Sequence, residues 1–136
     1  MKKLLFLAGF VLVAFTGFSQ AESVTPSQAA ADYAVASIDN LVFDFGKIKQ
    51  GVPVTHEFTF TNKGKVPMII TNAQPSCGCT VPAWTRDPIP PGGSGFVKAT
   101  FNAAASGAFD KSVTVTANVE SGVVMLRIRG EVVPNN

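Results

Sequence analysis

Residues 54–62 read VTHEFTFTN, and the way apolar and polar side chains take turns there decides the class of fold. Val54, His56, Phe58 and Phe60 fall on one side of an extended chain and Thr55, Glu57, Thr59 and Thr61 on the other, because successive side chains of a strand point to opposite faces. An amphipathic helix would need apolar residues three and four apart instead. Asn62-Lys63-Gly64-Lys65 then reads as a turn, since asparagine and glycine tolerate the left-handed backbone of a tight hairpin. The chain is expected to reverse there, with residues 66–73 as the return strand and Pro67 marking an edge or a bulge.

The same pattern extends in both directions. Upstream, Val42-Phe43-Asp44-Phe45 opens the domain and is expected to stop at Gly46. Downstream, Val81-Pro82-Ala83-Trp84 leads into residues 87–93, where Pro88, Pro90 and Pro91 cannot donate to a ladder, so this stretch reads as a loop. In residues 96–101, Val97, Ala99 and Phe101 share a face. Val113, Val115, Ala117 and Val119 then alternate with Thr114, Thr116 and Asn118, and Val124, Leu126 and Ile128 with Met125, Arg127 and Arg129. Short runs with one inward face each, punctuated by glycine and proline, predict an all-β domain: an immunoglobulin-like antiparallel β-sandwich of about seven strands. Alternation alone leaves a small barrel as the other architecture.

The chain opens MKKLLFLAGFVLVAFTGFSQAES, with Lys2 and Lys3 ahead of an apolar run, residues 4–18, and the small-residue stretch Ser19-Gln20-Ala21 after it. That is the pattern of a secretory signal peptide over residues 1–21. The run is shorter than the roughly 20 residues a membrane-spanning helix needs, and no cysteine follows it to carry a lipid anchor. Residues 22–37 are small and polar and read as a flexible leader, leaving residues 38–136 as one sandwich domain. The expected location is periplasmic or secreted. Without Lys2 and Lys3, the remaining basic residues balance the 9 acidic ones, and they are scattered rather than clustered. A nucleic-acid partner, which calls for a basic face, is not expected.

Both cysteines lie in PSCGCT, residues 75–80, separated by one glycine. Export favours a disulfide between Cys77 and Cys79. An extended strand sets residues i and i+2 about 6.6 Å apart, so bonding requires a bend, which Gly78 permits. The pair has no following helix to depress a thiolate pKa, which argues against a thioredoxin-like centre. Metal chemistry would need further donors, and His56, Met68 and Met125 are far apart in sequence. The plain reading is two small side chains at a strand end, free or in a quiet disulfide. Ser94, in Gly93-Ser94-Gly95, does not complete a nucleophile motif, and Asp44, Asp87 and Asp110 stand near turns where aspartate caps local backbone. Trp84, between Pro82 and Arg86, is a candidate partner contact, or else a cover for the open end of the sandwich.

The order FDFGKIKQG, HEFTFTNKGKVPMII, SCGCT, IPPGGSGFVKATF and a closing IRGEV resembles a large bacterial family, domain of unknown function 1573, which is similar to the immunoglobulin-like domains of Hydin and the major sperm protein. The resemblance runs over residues 42–133, with SCGCT as its most specific part. It implies the sandwich fold and an exported setting, and it carries no established activity. The expected role is thus a non-enzymatic structural or protein-interaction module of the cell envelope, without a cofactor, whose partner is another envelope protein or a surface polymer. The alternative is a thiol-based redox or copper-binding protein acting through Cys77 and Cys79.

Overall fold

The alternation over 54–62 does form a strand. In the computed structural model, which describes residues 32–136 together with Gly9, Val54–Asn62 buries Phe58 and Phe60 and turns Thr55, Glu57 and Thr59 outward. In chain order the strands are β1 (Ala36–Ile38), β2 (Val42–Lys49), β3 (Val54–Asn62), β4 (Ile70–Pro75), β5 (Thr80–Trp84), β6 (Ser94–Phe101), β7 (Gly107–Ala117) and β8 (Val123–Val133). They make two four-stranded sheets, one ordered β1-β3-β6-β5 and the other β2-β8-β7-β4. Every pairing is antiparallel except that of β2 with β8. The three-residue β1 takes the strand number past the seven expected.

Between the sheets lie the inward rows read from the sequence: Val97, Ala99 and Phe101 of β6, Val113, Val115 and Ala117 of β7, and Leu126 and Ile128 of β8, joined by Val132. Phe101 stacks on Phe109, ring centroids 4.1 Å apart. Fully burying one such side chain contributes roughly 1.5–3 kcal/mol. The outward faces carry polar pairs, with Thr55 bonded to Thr100 (2.8 Å) and Glu57 paired with Lys98 (3.5 Å) on the first sheet. On the second, Asp44 meets Arg129 and Asp110 holds Arg127 with both carboxylate oxygens.

Apart from Gly9, the expected signal peptide and the leader as far as residue 31 lie outside the described residues. Ala34, in the stretch read as leader, is buried and bridges Val119, and β1 begins at Ala36.

Two local expectations are corrected. No hairpin joins β3 to a return strand, because β3 pairs with β1 and β6 while β4 pairs with β7 in the other sheet. The chain crosses the sandwich over residues 63–69 instead, and Gly64 is not among the residues with positive φ. Asn62 acts through its side chain: its amide donates to Val66 O (2.7 Å) and Ile89 O (3.0 Å), and its Oδ1 accepts from Gly64 N (3.0 Å). Nor does β2 stop at Gly46. It runs on to Lys49 through a bulge between Asp44 and Lys47, where Gly46 takes φ 67° and its N–H donates to Asp44 Oδ1 (2.8 Å). The proline-rich loop also contributes to the core, since Ile89 is buried and exchanges two backbone hydrogen bonds with Met68, both 2.8 Å. A Cβ on Gly95 would overlap Ile89 Cδ1, so glycine is needed there for close approach.

The sheet edges differ in how they meet solvent. On β5 the bonds Asn102 N–Cys79 O and Thr85 N–Phe96 O set the odd residues toward β6, so the backbone of Pro82 points outward. On β4 the bond from Ser76 N to Ser112 O likewise leaves Pro75 facing outward. Each strand thus lacks a donor where an added strand would need one. The edge strand β2 carries the bulge and exposed Lys47 and Lys49, two further devices that discourage pairing. The first half of β3 has none of these. Because β1 ends at Ile38 opposite Phe60, no strand among the described residues lies beside the outward backbone groups of Thr55, Glu57 and Thr59.

Candidate functional site

Two places bring chemistry-bearing residues together. The first is the second crossing of the sandwich, residues 76–79, which links β4 to β5 and contains the cysteine pair. Cys77 and Cys79 are joined in a disulfide with Cα atoms 5.3 Å apart, so the chain does bend at Gly78. Both cysteines are half-buried, between exposed Ser76 and Gly78, and Cys79 packs against the core. The turn is also held by hydrogen bonds: Ser76 N donates to Ser112 O (2.9 Å), Ser112 N to Ser76 Oγ (3.1 Å), and Asn102 N to Cys79 O (3.0 Å). By ring entropy alone a loop this short stabilises the fold by only about 1.6 kcal/mol.

Beside Cys79 lies a hollow of about 210 Å³, walled by Phe101, Asn102, residues 104–109 and Lys111. The wall is built rather than loose. Ala103 is fully buried at φ 53°, and the Gly51 N–H donates to its carbonyl (2.8 Å). Next to it, the Gln50 side chain donates to Ala104 O (3.0 Å) and Asn102 Oδ1 accepts from Ala104 N (3.1 Å). Sequence reasoning missed Lys111. The signal was present, because in the inward row Phe109, Lys111, Val113, Val115, Ala117 it is the sole charge.

The second place is the open half of β3. A hollow of about 200 Å³ lies where β1 departs, lined by residues 38–40 and 56–59. His56 stacks on Phe43, centroids 3.7 Å apart, with Phe58 edge-on at 4.6 Å. Burial lowers the His56 pKa from its ordinary 6.5 because desolvation disfavours the cation, and the Glu57 charge opposes that shift only in part.

The remaining candidates are dispersed. Met68 is buried against the proline loop, Met125 is exposed on the outer face of the second sheet, and His56 is held by aromatics, so none of the three joins the cysteines. Among the described residues, no three of the His, Cys, Asp and Glu side chains are placed to hold a metal ion. Trp84 packs against the core from the β5 edge, with the Arg86 guanidinium 3.7 Å from its ring centroid. Its indole Nε1 and the hydroxyl of Thr80, both buried, have no hydrogen-bond partner among the described residues. Ser94 bonds Thr61 across the outer face of the first sheet, and Asp44 and Asp110 hold arginines.

A family model described as a protein of unknown function, DUF1573, matches residues 36–132. The chain belongs to that family. Its fold recurs in a protein of unknown function from Porphyromonas gingivalis W83, with TM-score 0.67 and 16% identity over 80% of this chain and 51% of that one. This chain therefore spans about half the length of the Porphyromonas protein. The ASH/PapD-like domain 7 of human CEP192 has TM-score 0.62 and 13% identity, covering 87% of this chain and 98% of that domain. The secreted serine protease VesC from Vibrio cholerae has TM-score 0.54 and 16% identity over 74% of this chain and 23% of its own. At such identities the likeness shows the immunoglobulin-like, PapD-like fold. No curated protein sequence matches the chain. Among the described residues, no helix is long and apolar enough to cross a membrane.

Proposed function

We propose that this member of the DUF1573 family is an exported, non-enzymatic interaction module of the cell envelope that holds a partner protein by accepting an extended segment along the open half of β3. The observation that carries this reading is the contrast between edges. Among the described residues no strand lies beside the outward backbone groups of Thr55, Glu57 and Thr59, while Pro75 and Pro82 interrupt the edges of β4 and β5. An added strand would gain main-chain hydrogen bonds there, and its inward side chains would meet the Phe43, His56 and Phe58 rings. The segment this edge suits is therefore one that alternates apolar and polar residues. Export is supported by the charged and apolar pattern of residues 1–21.

The test is a photo-crosslinking residue placed at Glu57 and, separately, at Val81 on the proline-bearing edge. In envelope extract the position-57 probe is expected to capture an alternating extended segment, mapped by mass spectrometry, and the position-81 probe to capture nothing comparable. Equal capture at both positions, or none at 57, would refute the assignment.

A further inference from the structure

A lysine in an inward row needs a reason. Lys111 is half-buried, belongs to none of the three ion pairs formed among the described residues, and shares the 210 Å³ hollow with Cys79. We propose that the Cys77–Cys79 disulfide is an exchange site that accepts two electrons from an exported dithiol, with Lys111 stabilising the Cys79 thiolate as it leaves. This does not depend on strand addition at β3.

The step balances as follows. A thiolate of the donor attacks Cys77 Sγ, the Cys77–Cys79 bond breaks, and its electron pair goes to Cys79, whose thiolate forms beside the Lys111 ammonium. The donor's second thiol gives its proton to solvent and attacks the donor sulfur of the mixed disulfide. That closes the donor's own disulfide and releases Cys77 as a thiolate, and both cysteines then take up protons. The donor is oxidised from dithiol to disulfide and this protein is reduced by the same two electrons.

Three features suit the site to this chemistry. A three-residue ring resists opening little by loop entropy. A nearby cation speeds departure of a thiolate by lowering the energy of its charged form. The hydrogen bonds of the crossing to Ser112 and Asn102 involve neither sulfur, so opening the bond breaks none of them, and the reduced thiols are expected to stay near each other.

Dithiothreitol serves as the probe dithiol. The native protein is expected to be reduced by it without denaturant, read by thiol alkylation and mass spectrometry, with an unchanged far-ultraviolet dichroism spectrum. Lys111→Gln should slow this reduction at least five-fold, and Lys111→Arg should restore it. Cys79→Ser exposed to oxidised glutathione should carry a single adduct on Cys77. A bond that opens only in denaturant, a Lys111→Gln rate equal to that of the unmodified protein, or a Cys77 that forms no adduct would each overturn the proposal.

Discussion

The chain passes from one sheet to the other at residues 63–69 and again at 76–79, and the two crossings are secured by opposite means. At the first, every polar group of Asn62 is engaged in the interior, its backbone with Gly92 and Gly93 and its side chain with Gly64, Val66 and Ile89. Asn118 adds bonds to Pro67 O (2.9 Å) and Ile69 N (2.7 Å). At the second, the side chains are half-exposed, the ring is covalent, and the hydrogen bonds come mainly from backbone. A buried polar clamp fails badly when one partner is lost, because the groups it served are left dry and unpaired. A short covalent ring beside solvent can open with little loss. The difference teaches that the crossing which looks stronger on paper is the one the fold can spare.

Asn62→Ala should break this comparison most visibly. It strands Val66 O and Gly64 N and leaves Ile89 O with Met68 N alone, and about 3 kcal/mol of unfolding free energy should disappear in urea titration. Removing the disulfide through Cys77→Ser with Cys79→Ser should cost only about 1.5 kcal/mol, with the native spectrum retained. If the double serine variant lost more than the alanine variant, the ranking of the two crossings would be reversed.

A change next to the second crossing should act in the opposite sense. Thr80 places a buried hydroxyl with no partner in the inward row of β5, so Thr80→Val should raise stability by about 1 kcal/mol. The smallest effect concerns His56. Its folded-state pKa is depressed, so the unfolded chain binds the proton more readily, and stability should be complete above about pH 6.5 and decline as pH falls through that value. Urea midpoints between pH 7.5 and 5 should show the decline, and His56→Gln should lessen it.

How much of this could be read beforehand depends on the range of the contacts involved. The inward rows of β3, β6, β7 and β8 were legible because alternation is a local property that burial on one face imposes directly. The hairpin at Asn62 was misread because asparagine followed by glycine satisfies a turn rule locally, whereas its partners Val66 and Ile89 are defined only once the proline loop folds back. Ile89 went unnoticed for the same reason, since prolines dominate its neighbourhood and its burial comes from Met68. The bulge at Gly46 looked like a strand end because glycine marks both. At the cysteine pair the bend at Gly78 followed from spacing, but that Lys111 and Cys79 line one hollow depends on β4 and β7 lying side by side, which no local pattern encodes.

The prolines on β4 and β5 bear on how copies of the molecule could aggregate. A fibre that grows by extending a sheet needs every unit to accept a neighbour at both margins. Here the margin at Pro82 closes one sheet and that at Pro75 closes the other. Copies joined through β3 would stop at a pair. The exposed ribbon of β3 therefore does not threaten the protein with runaway assembly at high concentration.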